Sequence, residues 1–132
     1  VLFRSGSGDS ISKSYKVRLV ESSTRPWGNY IVLAENSAYK VKQIEVLPGK
    51  RISYQSHEQR AENWLVISGS GIFTLNDEKI NVRQGSNCVI PIGAKHRIEN
   101  TGVENLVFIE IQTGTYFGED DIKRYEDDFG RA

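Results

Sequence analysis

The sequence predicts an all-β domain, a sandwich or barrel, and three observations carry the prediction. Between Tyr39 and Gln112, short runs rich in Val, Ile, Tyr and Phe recur roughly every 8–12 residues. Gly, Pro, Asn and Asp punctuate them. No helical stretch interrupts to supply the crossovers that a parallel sheet needs. In order, "YKVKQIEVL" (39–47) ends at "PGK", "RISYQSH" (51–57) leads into "ENWLVIS" (62–68), and "SGSG" opens "GIFTLN" (71–76). "NDE" separates that run from "KINV" (79–82), and "RQGS" precedes "NCVI" (87–90). "PIGAK" introduces "HRIEN" (96–100), and "TGVE" the last run, "NLVFIEIQ" (105–112). A short helix is expected over "GEDDIKRYEDDFGRA" (118–132), where acidic residues crowd the first turn, Ile122, Tyr125 and Phe129 form an apolar stripe, and Gly130 stands near the end.

Composition narrows the function classes. The chain has 132 residues, which fits one domain with a real core. Lys plus Arg and Asp plus Glu both number 17, so no net charge argues for nucleic acid or an anionic membrane as partner. No apolar run approaches the ~18–20 residues that span a bilayer. The single cysteine, Cys88, cannot form an internal disulfide and reads as a small buried thiol. The opening "VLFRSGSGDS" is too short in apolar length for a secretory signal. Residues 1–12 are expected to be a flexible tail or cloning remnant, residues 13–132 the folded domain, and the location cytoplasmic.

The chain has two histidines, His57 and His96, and both stand in polar company, in "QSHEQRAE" and "PIGAKHR". Strand alternation puts Arg51, Ser53, Gln55 and His57 on one face of their run. The short "EQRA" turn would bring Glu62 back beside His57, and Trp64 shares a face with Glu62. A Gln oxygen, a carboxylate and two imidazoles make a mixed nitrogen and oxygen set that suits a first-row divalent ion, with coordination positions left for water or substrate.

The motif spacing resembles that of the cupins. Gly49, five residues, Gln55-Ser56-His57, four residues, Glu62, six residues and Gly69 look like the first cupin motif. Gly85, five residues, Pro91-x-Gly93, two residues, His96, three residues and Asn100 match the second. Most cupins carry His where this chain has Gln55. The Gln-x-His pair, with "RPWGNY" (25–30), "YKVKQIEVLPG" (39–49), "RAENW" (60–64), "IPIGAKHRIEN" (90–100), "IEIQTGTYFGEDDI" (109–122) and "RYEDDFGR" (124–131), is similar to the carboxy-terminal cupin of type II mannose-6-phosphate isomerases. The likeness covers residues 24–131. Family members often carry further histidines where this chain has Glu58, Gln59 and Asn63.

This resemblance implies a cupin double-stranded β-helix, a jelly-roll barrel with a short C-terminal helix. It implies Gln55, His57, Glu62 and His96 as ligands of a divalent metal, zinc first, with manganese, cobalt or iron as alternatives. Arg60, Arg97 and Lys42 are the candidate substrate-binding cations, although alternation would turn Arg97 away from His96. The implied activity is interconversion of mannose 6-phosphate and fructose 6-phosphate through an enediol. The proton-transfer base is not identified; Glu45, Glu110 and Lys42 are conceivable. The second reading is a non-catalytic metal- or sugar-binding module, and an iron-dependent dioxygenase fits the ligands more loosely. The expected partner is a small sugar phosphate, with no nucleic acid or membrane and with homodimerisation an option through "RPWG". Because the guanylyltransferase half often fused to such cupins is not in the sequence, no transferase activity is expected.

Overall fold

The computed structural model describes residues 22–132. The expected tail at 1–12 lies outside the described residues. Eleven strands follow one another: β1 (Ser22–Arg25), β2 (Gly28–Glu35), β3 (Tyr39–Val46), β4 (Tyr54–Ser56), β5 (Arg60–Ser68), β6 (Ser70–Leu75), β7 (Glu78–Arg83), β8 (Asn87–Ile90), β9 (His96–Asn100), β10 (Leu106–Gly114) and β11 (Lys123–Glu126). They form two antiparallel sheets, one ordered β1-β2-β3-β10-β5-β8 and the other β11-β4-β9-β6-β7. The eight expected runs become β3 to β10. The β6–β7 hairpin turns on Asn76 and Asp77 with φ of 48° and 73°. Two central residues at positive φ define the turn that matches the right-handed strand twist, and Asn and Asp tolerate it.

Alternation along three neighbouring strands splits the interior into two zones. The inward positions of β3 are Lys40, Lys42, Ile44 and Val46; those of β5 are Arg60, Glu62, Trp64 and Val66. β10 runs antiparallel between them and presents Leu106, Phe108, Glu110 and Gln112. Its reversed direction matches its apolar half to theirs, and its polar half likewise. At one end, Val46, Val66, Leu106 and Phe108 meet Phe73, Ile90 and Ile98 in a dry core. The other end holds a buried layer of charged and amide side chains. Such groups survive burial only when paired or ligated, so this end is where function is expected.

Of the two ends of the fold, the C-terminal one differs from expectation. "RPWG" closes the β1–β2 hairpin on the edge of the six-stranded sheet, and Trp27 is buried in the core. The expected C-terminal helix is absent: among the described residues there is none. Instead β11 pairs with β4, matching Lys123 with Ser56 and Arg124 with Gln55. Tertiary partners outcompete the local helix signals. Asp121 accepts from the backbone N–H of Glu58 and Gln59, Glu126 pairs with Arg97 and Asp128 with Arg51, while Asp127 pairs locally with Arg131 four residues on. Phe129 packs against the core, and the Tyr125 hydroxyl hydrogen-bonds Ser56.

Candidate metal centre

The polar zone is contributed by both sheets. Glu62 projects from β5 in the six-stranded sheet. Gln55 on β4 and His96, the first residue of β9, are cross-strand partners in the other. His57 lies just past β4, and the Gly93 N–H donates to its carbonyl at 2.8 Å, tying the "PIGAK" turn to it. His57, Glu62 and His96 each offer a ligand atom, and these atoms lie within 4.8 Å of one another. All three residues are buried.

Hydrogen bonds fix which nitrogens face the cluster. His57 Nδ1 stands 2.7 Å from the Asp121 carbonyl and His96 Nδ1 3.0 Å from the Ala94 carbonyl. A carbonyl can only accept, so both Nδ1 atoms carry the proton and both Nε2 atoms present a lone pair. His57 Nε2 is 3.4 Å, and His96 Nε2 3.7 Å, from the Glu62 carboxylate. His96 Nε2 is buried and has no hydrogen-bond partner among the described residues. Burial pushes the His96 pKa down to about 4 and, with Arg60 beside it, lowers that of His57. Both imidazoles are therefore neutral at pH 7, the form that binds metals. An orphaned, inward-facing lone pair next to a carboxylate and a second imidazole fits a divalent cation.

The neighbours hold the carboxylate in place. Trp64 Nε1 donates to Glu62 Oε1 at 3.0 Å, and its ring sits 5.4 Å from the His96 ring. Gln55 lines a cavity of about 70 Å³ that reaches the cluster at Glu62 and is also lined by Trp64 and Glu110. Its amide nitrogen donates to Ser53, which leaves the carbonyl oxygen as the atom to offer. Glu110 is buried on β10; burial first, then the nearby Glu62 carboxylate, pushes its pKa up to about 8. The Gln112 amide donates to it at 3.2 Å.

The candidate substrate cations fare differently. Arg60 is buried, donates to Glu62 at 2.8 Å and to the Gly118 carbonyl at 3.2 Å, and lies 3.4 Å from His57 Nε2. It touches two candidate ligands, so its charge is spent on Glu62. Lys42 lines the cavity and pairs with Glu119 at 2.5 Å. Arg97 leaves on the opposite face of β9, reaching the Ile52 carbonyl and Glu126. Period-two alternation places it outside the cavity, which corrects its expected role there. Glu45 faces Asn29 and Asn105 and does not line the cavity. Glu58, Gln59 and Asn63, where relatives carry histidine, are exposed.

Sequence reasoning missed two contributions from residues 119–124. Asp121 orients His57 through its carbonyl and the following loop through its carboxylate. Arg124 lines the cavity from β11. The strand register, which a helical reading of this stretch hides, is the signal that finds both.

Two facing antiparallel sheets with a His/Glu cluster buried between them define a double-stranded β-helix, the cupin barrel. A protein with a double-stranded β-helix domain from Klebsiella pneumoniae shares this fold, with a TM-score of 0.65 and 22% identity over 74% of this chain and 83% of that one. The chain belongs to the family described as mannose-6-phosphate isomerase C-terminal, which matches residues 12–127. The xanthan biosynthesis protein XanB of Xanthomonas campestris is 44% identical over 108 residues, 82% of this chain and 23% of that protein. A mannose-1-phosphate guanylyltransferase of Escherichia coli is 42% identical over the same share of each. The chain thus spans about a quarter of the length of these relatives.

Proposed function

We propose that this domain is a metal-dependent sugar-phosphate isomerase that interconverts mannose 6-phosphate and fructose 6-phosphate. The observation that carries the reading is the buried pair of Nε2 lone pairs around Glu62, one of them unpartnered, in a chain of this family. Gln55, His57, Glu62 and His96 would hold the ion, zinc by donor type, which when bound supplies positive charge to the sugar oxygens.

Aldose–ketose interconversion moves a proton between C1 and C2, so a group of the chain must take and return it. Three carboxylates line the cavity. Glu62 belongs to the cluster and Glu119 is paired with Lys42, whereas Glu110 has, among the described residues, only the Gln112 amide as its hydrogen-bond donor. Its position makes Glu110 the candidate for the transfer. Trp64 and Arg60 keep the Glu62 carboxylate oriented, and the Asp121 carbonyl does the same for His57.

A coupled assay on zinc-replete protein with mannose 6-phosphate, run beside metal analysis, tests the reading. Turnover that disappears on chelation and returns with zinc is expected. Binding of mannose 6-phosphate without turnover would instead make the domain a sugar-phosphate-binding module.

A further inference from the structure

The three cations expected to bind substrate already have carboxylate partners: Lys42 has Glu119, Arg60 has Glu62 and Arg97 has Glu126. Arg124 does not. It lines the cavity, its Nε is buried without a hydrogen-bond partner, and among the described residues its guanidinium has neither an ion pair nor a hydrogen bond. Arg25, from the other sheet, lines the same cavity and is also without a carboxylate partner among the described residues; it is held by Ser23 and the Tyr30 hydroxyl. Arg131, tied to Asp127, lines the cavity too. Burial, followed by the charges of Arg131 and Arg25, disfavours the Arg124 cation, offset in part by Asp127 and Glu119. Arg124 and Arg25 thus approach one cavity from opposite sheets, neither with a carboxylate partner among the described residues, and the Arg124 Nε is left as an orphaned buried donor.

We infer that Arg124 and Arg25 form a phosphate-monoester site, with Arg131 contributing charge behind them. Within the isomerase reading, on which this assignment rests, it receives the substrate's 6-phosphate. The register supports the placement. Arg124 is the cross-strand partner of Gln55, which is the partner of His96, so the three lie in a row across the five-stranded sheet. Two strand spacings put the Arg124 backbone roughly 9–10 Å from that of His96. A six-carbon sugar can bridge such a gap, with its carbonyl end at the His/Glu cluster and its phosphate at the guanidinium. Arginine supplies a planar fork that matches phosphate oxygens, which explains an Arg on an edge strand with no protein acceptor.

Calorimetric titration of inorganic phosphate into metal-stripped protein separates this site from any phosphate bound through zinc. The unmodified protein should bind phosphate. Arg124→Gln should weaken that affinity at least tenfold and Arg25→Gln severalfold, Arg124→Lys should retain an intermediate affinity, and Arg97→Gln should change nothing. Thermal melts of each variant identify any loss of fold; if Arg124→Gln does not fold, Arg124→Lys and Arg25→Gln decide. Absence of phosphate binding to the unmodified protein, or undiminished binding by the folded Arg124 and Arg25 variants, overturns the assignment. Mannose 6-phosphate that binds through Arg124 without being turned over would sink the isomerase reading and leave the phosphate site standing.

Discussion

At His96 a single side chain carries several constraints at once. Its Nδ1 is committed to the Ala94 carbonyl, its ring packs edge-on against Trp64, and its Nε2 lone pair has no partner among the described residues. His96→Ala should therefore remove a ligand without opening the apolar core, which lies at the other end of the barrel. Metal affinity is expected to fall on the order of 100-fold or more, since even indirect partners of a ligand are worth 10–100-fold. On the proposed isomerase function, turnover should drop by orders of magnitude with it. Metal analysis beside circular dichroism checks this; full metal content in a folded His96→Ala protein would remove His96 from the ligand set. Much of this environment is readable from the chain. The resemblance to the two cupin motifs brings Gln55, His57, Glu62 and His96 together, and alternation alone turns Arg97 outward. The Arg60–Glu62 pair is two residues apart on one face of β5 and follows from the same alternation, whereas the pair that occupies Lys42 is not readable, because Glu119 lies 77 residues away and nothing local signals their meeting.

Among the elements, the turns carry the motif glycines. Gly49, Gly69, Gly85 and Gly93 all take φ between 77° and 90°, where a side chain costs about 1–2 kcal/mol. Gly49 has open space around the position of an added Cβ, but at Gly69 that atom would stand 2.8 Å from the Asn105 carbonyl oxygen. Gly69→Ala should thus destabilise by clearly more than Gly49→Ala, with about 1–2 kcal/mol expected for the latter from denaturant melts. Equal losses would show that the backbone gives way at β10. The segment after β11 makes a pH prediction. Hydrogen bonds from Arg131 hold the Asp127 carboxyl at about 2, against an ordinary 3.8. A depressed carboxyl stabilises the folded form above its unfolded value and loses that contribution as pH falls. Docking of Phe129 should weaken between about pH 4 and pH 2, and Asp127→Asn should lack this step. NMR signals of the Phe129 ring report it. The helix expected here shows where sequence reasoning gives way: acidic residues at 119–128 resemble a helix start, but Glu119, Asp121, Glu126 and Asp128 find partners remote in sequence.

For the molecule as a whole, the candidate ligands come from opposite sheets, so a bound ion would link the sheets at their open end. An ion present at a hundredfold over its Kd adds about 2.7 kcal/mol to stability. For a domain of this size that corresponds to a rise in melting temperature of roughly 10 °C. Chelation should reverse it, and His96→Ala should abolish it; a melting curve indifferent to zinc and chelator would count against a metal spanning the sheets. The barrel itself is legible because eight runs and their turns follow period two, and each inward face divides into an apolar and a polar half. The closing strand is not legible, since its pairing depends on where β4 comes to lie. That strand bears on the order of biosynthesis. β11 and Asp121 leave the ribosome after every candidate ligand has been made, so a nascent barrel can already contain His57, Glu62 and His96. It still lacks the carbonyl that sets the His57 tautomer and the guanidinium that faces the cavity. The His57 tautomer and one wall of the cavity thus depend on a segment that emerges after the ligands it serves.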